Sequence, residues 1–152
     1  MLRWMKTVLW TAAIIAAGTA TLTCGPDPLE YEGARILWSN RPFEDYRFTL
    51  QMQCFCVPGL ASPVVIDVVN GFAASVTYAD TGVAAGPGLF ENYDTIEKLF
   101  DIIQDVYDRE FIYVRQQYDP DLGYPVDVFI DYSMSIADDE LRFTVANVGP
   151  VE

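Results

Sequence analysis

Cys54-Phe55-Cys56 places two chemically active side chains one residue apart in this chain of 152 residues. Such a pair can make a disulfide, half a metal clasp or a redox centre. In an extended strand both sulfurs share a face, with Cα atoms about 6.5–7 Å apart, near the upper limit for a disulfide, so bonding needs a local bend. Pro58-Gly59 follows directly and supplies one. A metal asks for about four ligands, and the chain has no His and no second cysteine pair. A thiol oxidoreductase carries C-x-x-C at a helix N-terminus rather than C-x-C at a strand end. A structural Cys54–Cys56 disulfide therefore leads, ahead of buried free thiols and, last, a redox role.

Asp119, Asp121 and Asp127 around Gly123 form a second constellation, since calcium wants several oxygens and a Gly where the chain turns about the ion. The same residues also make a tight turn between strands. Asp119 caps it with its side chain, Pro120 fixes φ and Gly123 takes the left-handed position. The twelve-residue acidic spacing ending in Glu is absent, so the turn reading leads and a calcium site is the alternative. Asp138-Asp139-Glu140 and the Asp127/Asp131 pair offer carboxylates for acid–base work. A chain with 22 acids shows such clusters by chance, and the outward face of a strand accounts for Asp127 and Asp131. Without His, the commonest general base and the triad built on it are missing. No G-x-S-x-G, P-loop or dinucleotide fingerprint is present, so no catalytic residue and no cofactor is assigned. Tyr93, Tyr107, Tyr113, Tyr118, Tyr124 and Tyr132 suffice for a binding face, although closing the edges of a small core is their simpler use.

Cys24 is the third cysteine, and it ends an apolar N-terminal run. Arg3 and Lys6 make a basic n-region and Val8 to Gly18 an apolar h-region too short to cross a bilayer, so residues 1–23 read as a signal peptide. Thr21-Leu22-Thr23-Cys24 has the position and part of the composition of a lipobox, which would make Cys24 a lipidated N-terminus. Gly18-Thr19-Ala20 offers ordinary cleavage and simple secretion instead, and an uncleaved anchor is the third option. A lipidated Cys24 would leave Cys54 and Cys56 as an even pair in an oxidising compartment.

The formal charge is −13, and removing residues 1–23 takes away two basic residues and no acid, leaving −15. That sign excludes nucleic acid and anionic headgroups as favoured partners, so membrane contact is expected only through a lipid anchor or the signal segment.

Residues 24–29, with Pro26 and Pro28, read as a tether, and 30–152 as one domain with enough apolar residues for one core. Tyr31, Ala34, Leu37 and Trp38 predict a helix over Glu30 to Ser39, closed by Pro42. Tyr46, Phe48, Leu50, Met52, Cys54 and Cys56 alternate with polar residues as a strand, and Phe55 breaks the alternation. Strands over Val64 to Val69 and Phe72 to Tyr78 join at Asn70-Gly71, a tight-hairpin pair, with a bulged loop as the alternative because a strict loop places Ala74 opposite Asp67. Asp94-Thr95-Ile96-Glu97 resembles a capping box opening a helix with a stripe of Ile96, Leu99, Phe100, Ile103, Val106 and Tyr107. Three more strands follow: Phe111 to Tyr118, Val126 to Tyr132 and Leu141 to Val148. The expected fold is α+β, an antiparallel β-sheet packed against helices in the order α-β-β-β-α-β-β-β, and the two similar halves leave an internal duplication open.

At Trp38, Tyr46, Cys54-Phe55-Cys56, Asn70-Gly71, Leu99-Phe100, Tyr118-Asp119-Pro120-Asp121-Leu122-Gly123-Tyr124-Pro125 and Asp131 the chain resembles the bacterial exported and lipoprotein family called domain of unknown function 6174. The resemblance covers nearly all of the chain after Cys24. It implies an envelope location and carries no reaction with it. The resulting expectation is a non-catalytic cell-envelope or secreted domain that binds a protein or envelope component; the alternative is a calcium-dependent binder or hydrolase using Asp119 to Asp127.

Overall fold

The computed structural model describes residues 27–107, 109, 113–133, 136 and 138–151. Cys24 and the rest of the processing segment lie outside the described residues, as do Phe111 and Ile112 of the expected fourth strand.

Helix α1 spans Pro28–Ser39 and begins inside the segment expected to be a tether. The side chain of Asp27 accepts a hydrogen bond from the Leu29 amide at 2.9 Å and caps the helix, while Pro28 stands in the first turn, where no amide is needed. Strands β1 (Tyr46–Cys54), β2 (Val64–Val69) and β3 (Phe72–Tyr78) follow, then α2 (Ile96–Tyr107), then β4 (Tyr113–Tyr118), β5 (Pro125–Asp131) and β6 (Glu140–Pro150). All six strands join one sheet in the order β3-β2-β1-β6-β5-β4, each neighbour antiparallel. This is the α+β architecture, and the element order, expected from the sequence.

The sheet order bears on the duplication idea. In the first half the leading strand, β1, is central and the last, β3, is an edge; in the second half the leading strand, β4, is an edge and the last, β6, is central. The two helix-led halves thus cross the sheet in the same sense, β3-β2-β1 and then β6-β5-β4, but with equivalent strands reversed in direction, so the two-fold of the antiparallel sheet relates β1 to β6 and not to its counterpart β4.

One face of the sheet holds the core. Tyr46, Phe48, Leu50 and Met52 of β1, Val64, Ile66 and Val68 of β2, Val128 and Ile130 of β5, and Leu141, Phe143 and Val145 of β6 are buried with Tyr31, Ala34 and Trp38 of α1 and the stripe of α2. Each such side chain contributes roughly 1.5–3 kcal/mol on leaving water. Asn70 (φ 53°) and Gly71 (φ 79°) make a two-residue turn with both residues left-handed. The register then shifts, with Val68 opposite Ala73 but Asp67 opposite Ser75. Ala74 is the bulged residue, which gives Asp67 a hydroxyl partner at 2.9 Å and turns Phe72 away from the core, 77% exposed.

The helix-side face also carries polar groups. Thr95, not Asp94, caps α2: its Oγ1 accepts from the Lys98 amide at 3.2 Å, while Asp94 pairs with the Lys98 ammonium at 2.6 Å. Glu97 does not reach back as a capping box requires. Its Oε1 accepts from Trp38 Nε1 at 2.9 Å and its Oε2 from the Tyr46 hydroxyl at 2.6 Å, with the Arg41 guanidinium 3.2 Å away. The Tyr46 hydroxyl in turn accepts from the Ile96 amide at 3.0 Å. One carboxylate thus ties α1, β1 and α2 together, and burial followed by that hydrogen bond raises the Tyr46 phenol far above its ordinary pKa.

Candidate functional site

With both helices on one face, no described helix covers the other face of the sheet, and strand register fixes which side chains meet there. Gln53 lies opposite Arg142, Arg142 opposite Phe129 and Phe129 opposite Arg115, a row crossing β1, β6, β5 and β4. Gln51, Thr144, Asp127 and Gln117 form the next row. Arg142 donates to Asp127 through Nε at 2.8 Å and Nη2 at 2.7 Å, a two-pronged pairing. It holds the Asp127 carboxyl below the usual carboxylate range. Arg47 pairs with Asp67 in the same way near the other end of the face, at 2.6 and 3.0 Å, with the same consequence for Asp67.

Among the described residues Arg115 has no such two-pronged partner: its guanidinium carbon lies 5.9 Å from the centroid of the Phe129 ring, and its charge adds to that of Arg142 in lowering the Asp127 carboxyl. Tyr113 packs against the other side of this group, its ring 6.2 Å from that of Phe129. Beside this row is a cavity of about 430 Å³, where Arg115, Arg142, Phe129 and Phe55 meet the acids Asp138 and Glu140.

Cys54 and Cys56 are bonded, and the required bend comes from β1 ending at Cys54, which brings the two Cα atoms to 5.2 Å. The ring that results holds Phe55 out of the sheet, 85% exposed, at the lip of the cavity. An exposed aromatic on a short covalent ring beside guanidinium groups has the composition of an interface anchor, because the ring already restrains the backbone and a Phe side chain has only two torsions to lose on contact.

Asp119 and Asp121 are elsewhere. Asp119 Oδ1 accepts from the amides of Asp121 (3.0 Å) and Leu122 (2.7 Å), and Gly123 adopts φ 80°. A Cβ at Gly123 would stand 2.1 Å from the Ala34 carbonyl oxygen, so the turn is a close packing contact with α1. Asp127 faces Arg142 on the open face, and among the described residues no three acids or cysteines are grouped to hold a metal. Of the tyrosines, Tyr113 is on the open face. Tyr107, Tyr118, Tyr124 and Tyr132 are part-buried against the core, and burial raises each phenol's pKa. Tyr93 packs there too.

Two other recesses are less equipped. A cavity of about 480 Å³ between β3 and the Gly-rich loop is walled mainly by small residues, and its Asp94 already holds Lys98. A smaller one of about 150 Å³ between α1 and α2 borders the bonded Glu97 group.

The fold and open face together define a small antiparallel α+β domain with its two helices on one face of a six-stranded sheet. Over residues 30–150 the chain matches the model of the family of unknown function DUF6174, and it belongs to that family. No curated protein and no solved structure matches it. Among the described residues no helix is long and apolar enough to cross a membrane.

Proposed function

We propose that this protein is an exported, non-catalytic binding domain of the cell envelope that holds a protein or envelope component on the open face of its sheet. The observation that carries the reading is Phe55, held by the Cys54–Cys56 ring and almost fully exposed at the lip of a cavity that also offers Phe129 and Arg115. Aromatic and Arg side chains concentrate binding energy in protein interfaces, and an acidic surface elsewhere keeps the domain soluble. The basic n-region, apolar run and Cys24 support export, with lipid at Cys24 as the anchor. Calcium-dependent binding or hydrolysis at Asp119 to Asp127 has less to stand on, because Asp119 serves its own turn and Asp127 serves Arg142.

Capture from envelope extract with residues 27–152 as bait tests the binding site. Phe55→Ala and Arg115→Ala should each lose the captured component while melting at the wild-type temperature; equal capture by both variants would sink the reading. Intact-mass measurement of membrane and soluble fractions tests the anchor. The expected species begins at a diacylated Cys24, and an unmodified chain beginning at Thr21 in the soluble fraction would contradict it.

A further inference from the structure

The two edges of the sheet are finished differently. Beyond β3 the chain folds back, so that the Tyr78 amide donates to the Val83 carbonyl at 2.9 Å, the Ala85 amide donates to the Val76 carbonyl at 2.9 Å, and Thr77 bridges Ala84. Part of that edge is covered by the protein itself. The opposite edge is β4, and among the described residues its backbone ladder runs to β5 alone. Its one register shift lies at Gln117/Tyr118, leaving Tyr113 to Gln117 in regular pairing. It carries no Lys or Pro, two of the usual guards against strand addition. Along β4, Tyr113, Arg115 and Gln117 face the open side, and among the described residues Arg115 has no hydrogen-bonded carboxylate, although its charge helps lower the Asp127 carboxyl, whereas Arg47 and Arg142 are bonded to Asp67 and Asp127.

We infer that β4 accepts an extended segment of the partner as a seventh strand, and that the segment carries an acidic side chain opposite Arg115. The inference rests on the open-face reading above and names how the partner is held. Backbone pairing along Tyr113 to Gln117 supplies affinity with little dependence on sequence, and Arg115, braced by Phe129, supplies the choice of an acidic residue. Alternation puts the partner's acid on the open face and its flanking residues on the helix side near half-buried Gln116 and buried Val114, which favours β-branched apolar residues there. A second copy pairing through its own β4 fits poorly, since Tyr113–Tyr118 holds no acid to set opposite Arg115.

The test uses the exported full chain, isotope-labelled, titrated with the capped peptide Thr-Val-Glu-Val-Thr while backbone amide shifts and exchange rates are recorded. Saturable shifts and slowed exchange along Tyr113 to Gln117 are expected. Thr-Val-Lys-Val-Thr should bind about tenfold or more weakly, the size of one charge-assisted contact. Arg115→Glu, exposed and so free to change without unfolding, should reverse that preference. Absence of any response at β4 would overturn the inference, as would equal binding of the two peptides to wild type. Shifts confined to Gln53, Phe55 and Phe129 would overturn it while leaving the open-face reading intact. Peptide-independent, concentration-dependent protection of β4 would assign the edge to a second copy and overturn it as well.

Discussion

The two faces of this sheet are built from the same strands by the same alternation, yet their polar groups are used in opposite ways. On the helix side, Glu97, Trp38, Tyr46 and the Ile96 amide satisfy one another across three elements. On the open side, Asp67 and Asp127 are matched to Arg47 and Arg142, but Phe55 and Arg115 are presented. The difference separates stability from recognition: a substitution on the first face should be read in the melting curve, and one on the second in binding.

The largest expected loss is on the helix side. Phe100 is buried in the α2 stripe, edge-on to Tyr31 and stacked on Tyr118, so Phe100→Ala should cost about 3–5 kcal/mol in denaturant unfolding, and a cost below 1 kcal/mol would break the comparison. Tyr46→Phe keeps the ring and removes the hydroxyl that serves both Glu97 and the Ile96 amide. It should cost about 1–3 kcal/mol, the penalty for stranding buried polar partners.

The Cys54→Ala/Cys56→Ala double variant comes next. Its bond closes a ring with one residue between the cysteines, so it removes little chain entropy, and β1 remains paired with both β2 and β6. It should still unfold cooperatively with a loss well below the roughly 3 kcal/mol of a fifteen-residue loop, and failure to fold would refute this.

The smallest effect is electrostatic. Because Arg142 lowers the Asp127 pKa, the pair's contribution is present above the unfolded carboxylate value of about 3.9 and is lost as pH falls through the lower folded value. Wild type and Asp127→Asn should therefore differ slightly in melting temperature near neutrality and converge in strong acid; a gap that widens on acidification would reverse the sign.

What the sequence discloses follows range of interaction. The bounds of β2 and β3 and the turn between them were readable, since Asn70-Gly71 dictates that turn locally, whereas the bulge at Ala74 stood only as an alternative; Asp119, Pro120 and Gly123 likewise spell out their own turn. The role of Glu97 was not readable. Three residues after Asp94 it imitates a capping box, whereas its partners Trp38 and Tyr46 lie 59 and 51 residues away. The open-face row was hidden for a similar reason: Gln53, Arg142, Phe129 and Arg115 meet only because β6 inserts beside β1, an order that periodicity does not report. One signal did point there, the break in alternation at Phe55.

Oxidative footprinting of the domain, free and loaded with its captured envelope component, tests most directly whether recognition belongs to the open face. Each surface carries its own reporters, exposed Phe55 and half-buried Phe129 at the cavity with exposed Tyr113 against the Phe129 ring, and exposed Leu29 and Ile36 on α1. The predicted result is protection of Phe55, Tyr113 and Phe129 with Leu29 and Ile36 still labelled. Protection of Leu29 and Ile36 with Phe55 still fully labelled would contradict the account.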